Sequence, residues 1–235
     1  MRGKDRSAEH QLGMTHKERA EPVLGVPGIW RSRGYLPHYD DLTKMQSITF
    51  RLADSLPQSK LILLKEELEH LPEREQGIER RRRIEQWLDS GMGCCALKHP
   101  DVAKTMQESL LRFDGHRYHL LAWCIMPNHV HVLIRPLTEL GKIVQSWKSY
   151  TGRWALKHNA ELGLGVPSNA FWMREYWDRY IRDEQHYTAV IKYIHNNPVK
   201  AGLCKIAEEW LWSGMGTGAP STSSANGISH TGETK

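Results

Sequence analysis

Residues 117–136 have the sequence "RYHLLAWCIMPNHVHVLIRP", and their pattern indicates how the central sheet is built. Two apolar runs, 117–126 and 129–136, lie on either side of Pro127-Asn128. Pro followed by Asn is typical of a turn, and short runs rich in aliphatic and aromatic residues are typical of strands. The stretch therefore predicts an antiparallel β-hairpin.

The segment before the hairpin combines one strand pattern with several helix patterns. Residues 45–53 mix β-branched and aromatic side chains, which indicates a strand. Pro57 begins a stretch whose leucines recur at helical spacing, at Leu61, Leu64, Leu68 and Leu71. Two more helices are predicted, one with an apolar stripe of Ile84, Trp87 and Leu88, and one over residues 102–113.

After the hairpin, residues 139–158 predict a helix and the aromatic-dense residues 171–182 predict an extended segment. Asp183 suits the N-cap of a final helix, which we expect to end before Pro198 because proline disfavours helical geometry in the residue that precedes it. Strand, helices, hairpin, helix, strand and helix is the order of an α+β fold with an antiparallel sheet.

Composition and charge narrow the class of protein. The 235 residues suffice for one principal domain, and the net charge of +5 favours an anionic partner. The four cysteines form no C-x-x-C pair, which fits a reducing compartment. The polar N-terminal residues lack the apolar run of a secretory signal, and we find no membrane-spanning run. We therefore expect a cytoplasmic protein without membrane contact.

His129 and His131 are the first candidate functional residues. Side chains alternate along a strand, so both imidazoles point to the same face. Two interpretations remain open: a pair of half-buried histidines bonded to backbone or water, or two ligands of one divalent cation that needs a third ligand.

The final helix offers that third ligand. Tyr187, Ile191 and Ile194 form its apolar stripe, whereas Tyr193 and Asn197 share one flank, four positions apart. An amide oxygen suits Mg²⁺ or Mn²⁺. Alternatively, Tyr193 is a rim residue and Asn197 a helix C-cap.

The motifs "PNHVHVL", "SWKSYT", "REYWDRYIRDEQHY" and "YIHNNPVKAGL", in this order, resemble those of the REP-associated tyrosine transposases, a branch of the single-tyrosine HUH transposase superfamily. The resemblance covers about residues 30–212. It implies that His129 and His131 bind Mg²⁺ or Mn²⁺, and that Tyr193 attacks a phosphodiester of single-stranded DNA. Asn197 stands where many single-tyrosine relatives have glutamine.

The resemblance also implies the fold and the domain organisation. We expect a ferredoxin-like core in residues 29–212, in which an antiparallel β-sheet is packed by helices and a helical insertion spans about 57–116. Residues 1–28 are expected to be a flexible extension and residues 213–235, rich in Gly, Ser and Thr, a disordered tail. The resemblance further places the protein in a bacterial-type cytoplasm, associated with the nucleoid.

Five basic residues are candidates for binding single-stranded or hairpin DNA. Lys148, Arg182 and Lys200 lie within the matched motifs. Arg31 and Arg33 lie among aromatic residues, a combination suited to stacking on unpaired bases. Each could instead be a solvated surface charge.

The function predicted by these motifs is cleavage of single-stranded DNA beside a REP-like hairpin, with a 5′-phosphotyrosine intermediate and a free 3′ hydroxyl. One alternative is a protein that binds such hairpins without cutting them. Another is a metal-dependent hydrolase whose histidine site activates water. The sequence leaves the oligomeric state open between a monomer and a homodimer.

Overall fold

The computed structural model describes residues 29–32, 37–167 and 170–216. The strands are β1 (Ile29–Ser32), β2 (Pro37–Asp40), β3 (Gln46–Arg51), β4 (Tyr118–Ile125), β5 (His129–Pro136), β6 (Trp177–Tyr180) and β7 (Ser213–Met215). The α-helices are α1 (Gln58–Leu68), α2 (Glu73–Asp89), α3 (Pro100–Leu111), α4 (Leu140–His158) and α5 (Glu184–Lys200). The expected flexible extension, residues 1–28, lies outside the described residues.

A five-stranded antiparallel sheet organises the domain, with the strands in the order β6-β3-β5-β4-β7. β4 and β5 are the hairpin predicted from the sequence. The chain runs β3-α3-β4-β5-α4-β6, and these four strands lie in the order β6-β3-β5-β4. That is the ferredoxin-like arrangement of an α+β fold, so the expected fold class is confirmed.

The two faces of the sheet carry different layers. On one face, Val130 and Val132 of β5 belong to the large apolar core that also contains residues of α3 and α4, such as Met106 and Trp147. On the other face, Leu133 packs in a smaller cluster with the apolar stripe of α5, which consists of Tyr187, Ile191 and Ile194. The alternation along β5 therefore directs its odd-numbered residues toward α5.

The helical insertion is shorter than expected. α3 is the core helix that connects β3 to β4, so only the segment with α1 and α2 is additional to the ferredoxin-like core. α1, α2 and the preceding Leu56 form a separate cluster that consists of Leu56, Leu64, Leu68, Ile84 and Leu88, against which Trp177 of β6 packs. The insertion is thus attached to the edge of the sheet.

Two expectations about the C-terminal part were wrong. α5 continues through Pro198 to Lys200, and Ala201 is its C-cap. Ser213–Met215, expected to begin a disordered tail, form strand β7 beside β4. Among the described residues, no helix combines the length and the apolar character that crossing a membrane requires.

Candidate active site

Strand register places both histidines at one point of the sheet. His129 and His131 lie on the central strand β5, where Arg51 and Thr49 of β3 are their respective cross-strand partners. Both imidazoles are buried, and their Nε2 atoms are 2.9 Å apart. Burial lowers the pKa of His131 to about 3 and, together with the neighbouring His131, that of His129 well below its usual value. Both rings are therefore neutral at physiological pH.

The outer nitrogens of the two rings have different partners. Nδ1 of His129 lies 2.7 Å from Oδ1 of Asn128, whose Nδ2 donates to the carbonyl of Met92 at 2.9 Å. An amide oxygen can only accept, so Nδ1 of His129 carries the proton and its Nε2 presents a lone pair. Nδ1 of His131 lies 2.9 Å from the hydroxyl of Thr49, which can donate or accept.

The Thr49 hydroxyl thereby allows two states of the histidine pair. When it donates to His131, the Nε2–H of His131 can donate to His129. When it accepts from His131, both Nε2 atoms present lone pairs to each other, and only a cation between them relieves the repulsion. The open alternatives from the sequence, bonded histidines or metal ligands, are both compatible with this geometry.

α5 brings Tyr193 and Asn197 to the same face of the sheet as the histidines. The ring of Tyr193 packs edge-on against His131, with centroids 5.3 Å apart. Asn197, one turn later, is fully buried, and neither its amide oxygen nor its amide nitrogen has a hydrogen-bond partner. Because Ala201 caps the helix, Asn197 is not its C-cap.

The Tyr193 hydroxyl is buried and makes no hydrogen bond of regular geometry. Burial raises the pKa of this phenol above its usual range, the carboxylates of Glu85 and Asp89 raise it further, and the neighbouring Asn197 side chain opposes the rise. The hydroxyl is therefore protonated at neutral pH. A positive charge that reaches the site would lower this pKa and make the oxygen a better nucleophile.

The helical insertion contributes an acidic residue that the sequence did not reveal. Asp89, the last residue of α2, accepts a hydrogen bond from Lys200 through Oδ2 at 2.8 Å. Its other oxygen, Oδ1, is buried without a hydrogen-bond partner and lies 3.9 Å from Nε2 of His129. The ammonium of Lys200 also lies 5.7 Å from the ring centroid of Tyr193.

The donor set fits a divalent cation. Two ligands bound at about 2.1 Å and at right angles are about 3.0 Å apart, which agrees with the separation of the two Nε2 atoms. The partnerless amide of Asn197 adds a donor of the type that Mg²⁺ and Mn²⁺ accept. Within the described part of the chain, no group of three or more His, Cys, Asp and Glu side chains is arranged to hold a metal ion, so the two histidines need a further donor.

The structure places the predicted DNA-binding residues in different surroundings. Arg182 is exposed. The ammonium of Lys148 donates to the carbonyls of Met173 and Arg174, and Lys200 is paired with Asp89. Arg33 and the side chain of Arg31 lie outside the described residues. Contact with DNA stays a prediction for all five.

Sequence reasoning missed three polar residues of the site: Asn128, Thr49 and Asp89. Asn128 stands directly before His129, and this adjacency was an available signal. Thr49 could be inferred only from the register of β3 on β5. Asp89 carries no local signal, since its position depends on how α2 packs against the sheet.

Two histidines from a central strand and a tyrosine from a helix on the same face define a two-histidine, single-tyrosine site on an antiparallel α+β sheet. Part of the chain that contains this site matches the model of a family of transposases. Residues 99–197, which include both histidines, Tyr193 and Asn197, match the model of the family described as "Transposase IS200 like".

Individual relatives point to the same group. The chain is 26% identical over 106 residues to a Haemophilus influenzae protein provisionally named REP-associated tyrosine transposase, covering 43% of this chain and 60% of the relative. It is 25% identical over 97 residues to the REP-associated tyrosine transposase of Escherichia coli, covering 41% of this chain and 53% of the relative. The match thus spans little more than half the length of these curated relatives.

A solved structure is also similar, that of a REP-associated tyrosine transposase bound to a REP hairpin. It has a TM-score of 0.44 and 17% sequence identity, and the alignment covers 77% of this chain and 81% of that chain. The family model and the curated relatives confirm the resemblance that the sequence motifs indicated.

Proposed function

We propose that this chain is a metal-dependent transposase that binds palindromic, REP-like hairpins and cleaves the adjoining single-stranded DNA through Tyr193. The observation that carries the proposal is the convergence of Tyr193 with the histidine pair, because the tyrosine ring packs directly against His131. The similarity to REP-associated tyrosine transposases supports the nature of the substrate.

In the proposed reaction, Oη of Tyr193 attacks the phosphorus of a phosphodiester and the bond from phosphorus to the 3′ oxygen breaks. The phenol loses its proton and the leaving 3′ oxygen gains one. A phosphotyrosine remains at the 5′ end, which preserves the bond for rejoining without a nucleotide cofactor. The reverse attack by a 3′ hydroxyl releases the tyrosine.

His129, His131 and Asn197 would hold Mg²⁺ or Mn²⁺ in this proposal. Such a cation supplies Lewis-acid polarisation of the scissile phosphate. Asn128 and Thr49 orient the two imidazoles through their Nδ1 atoms. α5 fixes the distance between nucleophile and ligands, because Tyr193 and Asn197 are one turn apart on one rigid element.

Trapping of a covalent adduct tests this function. The wild-type protein is incubated with labelled single-stranded hairpins and Mn²⁺, then analysed on denaturing gels and by mass spectrometry. We expect a nucleotide on the peptide that contains Tyr193, and no adduct in Tyr193→Phe, which keeps the ring and its packing. Tyr187→Phe is the matched control, because Tyr187 lies on the same helix and its hydroxyl is also buried without a hydrogen-bond partner.

Other results would contradict the proposal. An adduct on Tyr187 or Tyr180 would move the nucleophile to another residue. Cleavage that leaves a free 5′ phosphate and no adduct would indicate the hydrolase. Tight hairpin binding without cleavage at any metal concentration would indicate a binding protein.

A further inference from the structure

The carboxylate of Asp89 has two oxygens in different situations. Oδ2 accepts from the Lys200 ammonium at 2.8 Å, whereas Oδ1 is buried, lacks a hydrogen-bond partner and lies 3.9 Å from Nε2 of His129. A buried carboxylate oxygen without a partner is unfavourable unless something binds it. The lysine thus holds the side chain with its free oxygen on the side of the histidines.

The distances between the donor atoms of Asp89, His129 and His131 bear on whether these residues can coordinate one cation. Two donors on one cation with bonds of about 2.1 Å are about 3.0 Å apart at right angles and about 4.2 Å apart when opposite. The 3.9 Å from Oδ1 of Asp89 to Nε2 of His129 lies between these two values, and the 2.9 Å between the two histidine Nε2 atoms is close to the lower one. Among the described residues these three side chains do not yet form a group that holds a metal, so the carboxylate has to move toward the histidine pair to join both on one ion.

Charge provides an independent reason. His129, His131 and Asn197 are neutral donors, and the side chains of all three are buried. A dication held by neutral groups alone in such a site keeps its full charge, and Mg²⁺ and Mn²⁺ prefer carboxylate oxygens. Asp89 supplies one negative charge and a hard oxygen at the histidine side.

From these observations we propose that Asp89, delivered by the helical insertion, is a direct ligand of the divalent cation together with His129 and His131. The proposal rests on the metal site of the proposed function and assigns a role to α2. The contacts of the following loop support it, because Asn128 binds both Met92 and His129 and so joins the end of α2 to the histidine strand.

The ion pair with Lys200 offers a second role for Asp89, and the two roles predict opposite effects. If Asp89 only anchored Lys200, removing either partner would change the site in the same way. If Asp89 is a ligand, removing it weakens metal binding, whereas removing the positive charge of Lys200 leaves metal binding equal or makes it tighter.

Mn²⁺ binding by the full chain, measured without DNA by calorimetry and electron paramagnetic resonance, tests the proposal. We expect Asp89→Ala and the shape-conserving Asp89→Asn to bind Mn²⁺ at least tenfold more weakly than wild type. Lys200→Met should bind as tightly as wild type or more tightly. Glu85→Gln, one turn earlier on α2, is the charge-matched control and should change the affinity less than threefold. Circular dichroism checks that each variant is folded.

Three results would overturn the proposal. Unchanged Mn²⁺ affinity in both Asp89 variants, with wild type binding the ion, would refute this ligand alone and leave the proposed function intact. Equal losses of Mn²⁺ affinity in Glu85→Gln and Asp89→Asn would show that any nearby negative charge has the same effect and that Asp89 is not a ligand. No Mn²⁺ binding by the wild type would refute both this ligand and the metal dependence of the proposed function.

Discussion

Asn128 accepts a hydrogen bond from Nδ1 of His129, its direct neighbour in the sequence, at 2.7 Å. The same amide donates to the carbonyl of Met92 in the loop after α2, which fixes the orientation of the amide group. One side chain therefore determines which nitrogen of His129 is protonated and also connects the helical insertion to the central strand. The Pro-Asn turn that identified the hairpin thus has a second role within the site.

The histidine pair should be needed for cutting and dispensable for hairpin binding. His129→Ala and His131→Ala are expected to abolish cleavage, because they remove the proposed metal ligands, while most of the affinity for DNA is expected to come from phosphate contacts elsewhere. Cleavage gels and filter binding measure the two effects separately. His119→Ala, on the adjacent strand β4, should cut normally. Metal-dependent cutting by either site variant would show that the histidines are not ligands, and unfolding of both would favour a structural role.

Asn197→Asp should make stability depend on metal. The new carboxylate is buried where the amide has no partner, so the variant should be less stable than wild type in EDTA. A bound cation would neutralise it, and Mn²⁺ should therefore raise the melting temperature of the variant more than that of wild type. The Asn197→Asp substitution should also alter the preference between Mn²⁺ and Mg²⁺ in cleavage. Asn196→Asp, the exposed neighbour, is the control. Equal responses of the two variants to Mn²⁺ would argue against ligation.

Lys148 should produce a measurable dependence of stability on pH. Burial lowers the pKa of its ammonium from 10.5 to about 8 in the folded chain. Between these two values the unfolded chain binds more protons, so the folded state gains stability as the pH rises through this window. The free energy of unfolding of wild type relative to Lys148→Met should increase by about 1 to 3 kcal/mol between pH 8 and pH 10.5. Urea denaturation at several pH values measures it, and parallel curves for both proteins would show that this pKa is not shifted.

Gly93 should not tolerate a side chain. Its φ is +84°, and a Cβ at this position would lie 2.8 Å from the carbonyl oxygen of Asp54. Gly93→Ala should therefore cost about 1 to 3 kcal/mol of stability. Gly77→Ala, inside α2 with nothing near its Cβ position, should instead gain about 0.5 to 1 kcal/mol. Urea denaturation midpoints compare the two, and equal shifts would contradict the steric argument.

Much of the fold and part of the site followed from periodicity in the sequence. Alternation along a strand placed His129 and His131 on one face, and helical spacing placed Tyr193 and Asn197 on one flank. Local rules failed where tertiary contacts decided the outcome. α5 does not end before Pro198. Pro198 is buried, and the next turn is closed by a hydrogen bond that the Ala201 N–H donates to the Asn197 carbonyl.

The other failures have the same origin. The Gly-rich sequence after Trp212 indicated disorder, yet β7 forms because β4 offers a free edge and Gly214 lets the strand lie against Trp123. Asp89 belongs to a helix whose position depends on Trp177 and on the loop at Met92. No pattern within α2 itself could have placed that carboxylate beside the histidines.

For Tyr193 as the proposed nucleophile, a buried hydroxyl limits which DNA strands can be attacked. An enzyme that forms a covalent bond with DNA threatens any exposed strand, such as those at replication forks, if its reactive oxygen is open to solvent. Here that oxygen is covered and protonated while the site is at rest. For an enzyme of the proposed kind, single-stranded DNA that binds weakly would not reach the phenol. Only a substrate whose binding exposes the Tyr193 hydroxyl would be cut.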